Sequence, residues 1–536
     1  MTRVPQVEGR HRTSTVAPRL ELDLAIGIAV TLLVAFFARR ALNPDGVAYL
    51  ELAEAAAAGR WGRLLQGYWS PGLPALLAPL AWITGPDRSR LLVAAHGLQA
   101  LLGGLALWLG AVAIRRNIPP ALQRVAWWAI AWVVIRWLSQ VLVTPDLLLS
   151  VAVLAGIVLL GTDRPAARFG IGAVAGLAFL AKPSIWPWLV VAGMVAGYVC
   201  WRSPGRRLPW LTFAGAAGII GAWLVALSVR EGRPTLGSVG PLSFQWYLGD
   251  LSRRTPDTDR GSHSTRRSLP VPPPTEGTVV FFEIPMGTDT YLPWSDPERW
   301  ARGVPPDARP RFNRNLAVAN WLTNLRVAAT SLLPLLLGIM VFTRIGRPAG
   351  TRHSWIGWLG DRPILIVGIA ASVVFLVIHA ELRLLAPAAL LCILGGLASK
   401  DEVVATRDLR AGRIGAMIVL ALEASSHIWT QLPELDRRAA TDATIERFIK
   451  QVRPTAPRGI VVAGPAMPMM TSLWANRLRV VAQFDNPNRN KLLGLPPRVL
   501  QLWLQRNFAR EAAGMVFSSS SISGNIQRNQ YQFMMW

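Results

Sequence analysis

Apolar runs recur along this chain at 24–38, 90–114, 121–141, 147–161, 169–182, 184–201, 209–229, 319–343, 363–380, 384–399 and 412–429, with arginines crowded into the short loops between them. Such runs approach the ~20 apolar residues that a helix needs to cross the hydrocarbon of a bilayer, and their repetition leaves few other folds open. Strands of an outer-membrane barrel would alternate apolar and polar residues, which these runs do not. The pattern predicts an all-α polytopic membrane bundle of about eleven transmembrane helices.

Charge fits the same reading. A formal net charge of +25 would suit a nucleic-acid partner, but the basic residues sit in short loops beside apolar runs, where they act as topology signals; no nucleic acid is expected. Cys200 and Cys392 lie in or at the edge of apolar runs, so the chain offers neither a disulfide framework nor a CxxC metal site. Its histidines show no HxxxH or HExxH spacing. No cofactor is expected, and a divalent metal has no ligand motif. Arg3, Arg10, Arg12 and Arg19 precede the first run as in a signal peptide, but Arg39 and Arg40 follow it with no small-residue cleavage site, which predicts an uncleaved first helix.

The segment 71–85, "PGLPALLAPLAWITG", is short for a span and rich in proline. Laid along the membrane surface, it leaves Arg115, Arg116, Arg124, Arg164, Arg168, Arg202, Arg206, Arg207, Arg344, Arg347, Arg352, Arg362, Lys400, Arg407, Arg410 and Arg413 on the side of the basic N-terminus. As a span it would send all of them outside, against the positive-inside rule. The expected organisation is therefore a cytoplasmic tail at 1–20, a transmembrane domain at 21–429 with outer loops at 39–89 and 230–318, and an extracytoplasmic domain at 430–536. The chain is placed in the cytoplasmic (inner) membrane as a multi-pass protein.

This topology carries distant charged residues to one outer face. Asp45 stands in the "NPDG" turn before a short helix bearing Tyr49; it reads either as a turn carboxylate opening that helix or as a base at the membrane boundary. Asp146, in "VTPDLLLS", is either an acid favoured by a helix dipole or a second carboxylate of a site. Lys182 interrupts a long apolar stretch before Pro183 and Pro187, and either snorkels to the headgroups or meets an anion. Arg383 either pairs with Glu381 or holds a ligand phosphate, and Arg136 is a third cation near the outer end of its helix. Cations beside carboxylates at headgroup depth suit an anionic lipid headgroup held while an acceptor loses a proton.

Five stretches, "DGVAYLELAEAAAAGRW", "YWSPGLPALLAPL", "TPDLLLSVAVLAG", "GLAFLAKPS" and "ELRLLAPAALLCILGGLA", occur in the order found in the GT-C glycosyltransferases. The chain resembles the branch of the protein O-mannosyltransferases and the lipid A aminoarabinose transferase over roughly residues 20 to 400. The resemblance implies a GT-C-like fold and inverting transfer of a sugar from a polyprenyl-phosphate donor to a lipid, polysaccharide or protein acceptor on the outer side. By position it implies Asp45 as base, Asp146 as a supporting carboxylate, Lys182 and Arg383 on the donor phosphate with Arg136 beside them, and Tyr49 and Glu381 in support. The chain departs from the pattern in three places: no glycine separates Lys182 from Pro183, Leu384 stands where the family has tyrosine, and "YWSPGLP" lacks the lysine of the aminoarabinose branch.

The two outer segments read differently. The middle of the long loop, "RRTPDTDRGSHSTRRSLPVPPPTEG", is polar and proline-rich and is predicted to be mobile, between aromatic flanks suited to carbohydrate or headgroup contact. After residue 430, "GIVVAG", "LRVVAQFD" and "GMVFSS" read as strands, with helices at 467–477 and from Pro496 to Ala512, which predicts a small C-terminal α/β domain. The competing class is a transporter or flippase for an anionic glycolipid, which calls for ionisable residues near mid-bilayer and an internal repeat. The charges here lie near helix ends.

Overall fold

A computed structural model of the chain describes residues 17–138, 142–160, 164–202, 210–249, 266–271, 273, 278–283, 312–345, 362–398, 459–463, 480–484, 492, 495–508, 512–523 and 526–535. The tail before residue 17, the apolar run at 412–429, the helix at 467–477 and most of the middle of the long loop lie outside the described residues.

Among the described residues, each apolar run up to Leu397 lies largely on a helix. The helices are α1 (Ala17–Ala38), α2 (Pro44–Ala57), α3 (Gly72–Thr84), α4 (Arg88–Asn117), α5 (Pro120–Trp132), α6 (Asp146–Leu160), α7 (Pro165–Ala181), α8 (Trp186–Arg202), α9 (Trp210–Glu231) and α10 (Val239–Tyr247). After the long loop come α11 (Arg314–Val327) and α12 (Leu333–Ile345), joined by a π turn, then α13 (Pro363–Ile378) and α14 (Leu382–Leu397). Proline opens α2, α5, α7 and α13, where its fixed φ suits the first turn and its missing N–H goes unneeded. Among the described residues four helical stretches are long and apolar enough to cross a membrane: Leu20–Ala38, Arg88–Asn117, Trp210–Glu231 and Arg314–Val341. Shorter apolar helices accompany them. Leu32, Phe36, Trp82, Leu101, Val225 and Leu337 face outward, as in a multi-pass protein whose surroundings are lipid.

The core centres on α14, buried continuously from Leu385 to Leu397 and packed against α5, α6, α12 and α13. Glycine permits these close approaches. A Cβ on Gly395 would run into the Leu365 amide nitrogen, and one on Gly172 into the Thr212 carbonyl where α7 meets α9. At the C-terminal end of α14, Arg362 donates to the carbonyls of Gly395, Gly396 and Ala398. Arg116 donates to Val158 at the same end of α6, while Arg115 and Arg124 pair with Glu21 and Asp23 at the start of α1. Arg115, Arg116, Arg124 and Arg362 thus lie at the ends of their helices opposite to those that carry Asp45, Asp146 and Arg383.

Among the described residues six strands form one mixed sheet in the order β1-β2-β4-β3-β5-β6. β1 (Arg266–Pro270) and β2 (Thr278–Glu283) come from the long loop; β3 (Gly459–Ala463), β4 (Val480–Phe484), β5 (Ala512–Ser523) and β6 (Ile526–Met535) follow residue 458. β2 runs antiparallel to β4, with Phe281 opposite Phe484, and β3 lies parallel to both β4 and β5. A helix, α15 (Pro497–Phe508), is tied to the loop by a 2.9 Å hydrogen bond from the Trp503 indole to the Pro270 carbonyl. One expectation needs correction here. Arg266–Pro270, inside the stretch predicted to be mobile, is a strand, because it needs a neighbour on one side only and its proline sits at the edge position that tolerates a missing N–H.

Candidate active site

Four helix ends carry the charged residues. Asp45 follows Pro44 in the first turn of α2, and Asp146 is the first residue of α6. Lys182 follows the last residue of α7, released from helical geometry by Pro183. Arg383 lies in the first turn of α14, and Glu381 precedes that helix. Asn43, rather than Asp45, occupies the N-cap position of α2, so the Asp45 carboxylate is free for long-range contact.

These residues meet. Arg383 Nη1 donates to Asp45 Oδ2 at 2.9 Å across 338 positions of chain, and Arg383 Nε donates to Glu381 Oε2 at 2.6 Å. The same Nη1 stands 3.9 Å from Asp146 Oδ2. Lys182 Nζ donates to Asp146 Oδ1. Asp146 is buried, its side chain 1% exposed, and its Oδ2 has no hydrogen-bond partner. Asp45 is 27% exposed, and its Oδ1 has no partner among the described residues. Two cations therefore face three carboxylates, and each cation keeps N–H groups that no described residue takes: Nη2 of Arg383 and two of the three hydrogens on Lys182. Arg136 stands in the π turn Val133–Trp137 and makes no hydrogen bond or ion pair with the cluster among the described residues.

Glu381 also binds His379, whose Nε2 is 2.9 Å from Oε1, and the His379 ring stacks on Tyr247 of α10 at 4.0 Å. Burial acts to raise the Glu381 pKa, but hydrogen bonds from His379 and Arg383 outweigh it and hold the carboxyl well below the usual carboxylate range. Tyr49 is buried one turn beyond Asp45. That burial, and next the Asp45 charge, push its hydroxyl well above the ordinary phenol value, so it remains a proton donor. Ser70, which acts against that shift, donates to the carbonyl of Ala181, the residue before Lys182. Among the described residues no group of three or more His, Cys, Asp and Glu side chains is arranged to hold a metal ion.

No protein-family model and no curated protein matches this chain. Among solved structures, it is similar to ArnT from Cupriavidus metallidurans bound to undecaprenyl phosphate, with a TM-score of 0.40 and 16% identity over 95% of this chain and 97% of that one. The same protein in the apo state gives a TM-score of 0.39 and 14% identity, covering 92% of each chain.

Several residues that the motifs left out set the cluster's geometry. Asn43 Oδ1 accepts from the Val143 amide at 2.9 Å, stitching the Asp45 turn to the Asp146 turn. His96 and Gln99, one turn apart on α4, bond to the carbonyls of Ala41 and Thr144 and hold the same two turns from below. Their signal was available, since polar side chains inside an apolar run are costly unless a partner meets them. The segment joining α1 to α4 is anchored at two points. Arg88 forks onto Glu54 at 2.9 and 2.6 Å, and Gly72 packs so tightly that a Cβ there would stand 2.9 Å from the Ala181 backbone. An edge-to-face series, Tyr49 on Trp69, Trp69 on Tyr68 and Tyr68 on Trp246, joins that loop to α10.

Proposed function

We propose that this chain is an integral-membrane glycosyltransferase of the GT-C type, moving a sugar from a polyprenyl-phosphate donor to an acceptor on the outer face of the cytoplasmic membrane. The observation that carries the reading is the convergence of Asp45, Asp146, Lys182 and Arg383, from four separate segments, at helix ends on one side of an apolar bundle. A lipid-linked donor holds its phosphate at headgroup depth, and the cluster has the donors to meet it: the unused N–H groups of Arg383 and Lys182, oriented by the carboxylates behind them. Arg136 is assigned to the edge of the same anion site. The charges lie at helix termini rather than in the middle of spans, which favours surface chemistry over a path through the membrane.

In the proposed reaction Asp45 Oδ1, partly exposed and unpaired, accepts the proton of an acceptor hydroxyl or amine. The acceptor atom bonds to the anomeric carbon on the face opposite the phosphate, so the configuration inverts. The bond from that carbon to the phosphate oxygen breaks, and its electron pair leaves on the polyprenyl phosphate, whose charge Lys182 and Arg383 stabilise. Asp146 is too buried to reach an acceptor and serves by holding Lys182. Tyr49 and Glu381 support the base and the guanidinium. The topology proposed with this reading has about eleven spans, 71–85 on the outer surface, and the segment after residue 430 outside.

The test is Asp45→Asn in purified protein. General-base catalysis contributes about a hundred- to ten-thousand-fold, so turnover should fall by that order while polyprenyl-phosphate binding stays near wild type. Near-wild-type turnover would reduce Asp45 to a partner of Arg383. The substrates for that assay come from mass analysis of glycolipids and glycoproteins in a strain lacking the chain.

A further inference from the structure

The break between α13 and α14 carries both Glu381 and Arg383, and it is held from outside by one face of α11. A helix end leaves its last four carbonyls without intrahelical donors. At the end of α13 three of them are met in succession: Leu376 by the Asn324 amide at 2.9 Å, Val377 by the Trp321 indole at 2.7 Å and Ile378 by the Asn320 amide at 2.6 Å. Asn324 does something its neighbours do not. Its Oδ1 also accepts from the Ala380 amide at 3.0 Å, so one buried side chain grips both sides of the break. Beyond Ala380 the chain runs directly through Glu381, whose carbonyl accepts from the amides of Leu384 and Leu385 to open α14.

We infer that Asn324 is a positioning residue for the proposed donor-phosphate site, acting through Ala380 and Glu381 on the guanidinium of Arg383. The inference rests on the reading of Arg383 as a phosphate contact. An unbraced break could turn about His379 and Ala380, and a small rotation there swings the Arg383 fork by more than the tolerance of a charge-assisted hydrogen bond. Asparagine suits the task because its amide offers donor and acceptor on one rigid plane, matching a carbonyl on one side and an N–H on the other.

The test measures affinity of the purified full-length protein for a polyprenyl monophosphate in detergent, by microscale thermophoresis, alongside the unfolding temperature. Arg383→Met should weaken binding by about ten- to hundred-fold. Asn324→Leu should weaken it by about three- to ten-fold, the equivalent of one neutral hydrogen bond, and should add nothing in the Arg383→Met background. Trp321→Phe, which loses a cap of the same kind but does not reach Ala380, should leave affinity unchanged while lowering the unfolding temperature. If Asn324→Leu does not fold, Asn324→Ser, too short to bridge the break, takes its place. Full affinity in the Asn324 variant beside a weakened Arg383→Met overturns the positioning role and spares the donor reading. A loss that persists in the Arg383→Met background also overturns it, since Asn324 would then act by another route. Failure of the wild type to bind, or an Arg383→Met variant with full affinity, removes the donor reading and this role with it.

Discussion

Removing the Lys182 charge should cost stability before it costs anything else. Asp146 is 1% exposed, its Oδ1 is held by Lys182, and its Oδ2 has no hydrogen bond. In Lys182→Met the carboxylate would keep a single guanidinium at 3.9 Å, already engaged with Asp45 and Glu381. Deleting one partner of a buried ion pair costs about 3–5 kcal/mol, chiefly as the penalty of the charge left behind. The remaining Arg383 contact favours the lower end, near 3 kcal/mol. Thermal unfolding of detergent-purified protein should therefore show a clear fall for Lys182→Met and recovery in Lys182→Met/Asp146→Leu, where no buried charge is stranded. Polyprenyl-phosphate affinity should not recover in the double variant, because the phosphate contact is still missing. An unfolding temperature unchanged in Lys182→Met, or a double variant no more stable than the single one, would refute the buried-pair account.

Other expectations follow from the same geometry. Glu381 has a depressed folded pKa, so its carboxylate stabilises the fold above the ordinary glutamate value of 4.5 and loses that contribution as acid is added. The wild type should unfold above Glu381→Gln at neutral pH, with the gap closing below about pH 4.5; at 38% exposure solvent screens the pairs and the gap is small. Gly72→Ala should force α3 away from the Ala181 backbone and weaken polyprenyl-phosphate binding through Lys182, whereas Gly62→Ala, which meets nothing, should not. Cysteines placed near Ser70 and after residue 440 should react with an impermeant reagent in intact cells; labelling only after permeabilisation would invert the proposed topology.

The helices were legible because a bilayer allows little else, and the apolar runs up to residue 399 lie on them almost residue for residue. Charged residues interrupting that pattern were legible for the same reason. Less visible was how they would pair. Nothing local indicates that Asp45 and Arg383 share a hydrogen bond, or that Arg136, chemically like Arg383, makes no ion pair with the cluster among the described residues. Polarity inside an apolar run marks His96 and Gln99, but they, Asn43 and Asn324 each serve a backbone group elsewhere, and such partners exist only once the fold does. The strand in the proline-rich loop was hidden likewise, since β1 takes its order from β2 rather than from its own composition.

The mixed sheet also imposes a rule of parity on the chain. β2 and β4 are hydrogen-bonded neighbours, so the long loop and the segment after residue 458 share one side of the membrane. Everything between Glu283 and Val480 must then cross an even number of times. The continuous α11–α12 stretch, α13 and α14 supply an odd set if each crosses once. In the proposed topology the run at 412–429 is the further crossing that this parity asks for. An edge-to-edge strand contact of a few residues thereby constrains the path of some two hundred: on the proposed topology, deleting 412–429 is expected to set β4 on the wrong side and leave β2 an open edge.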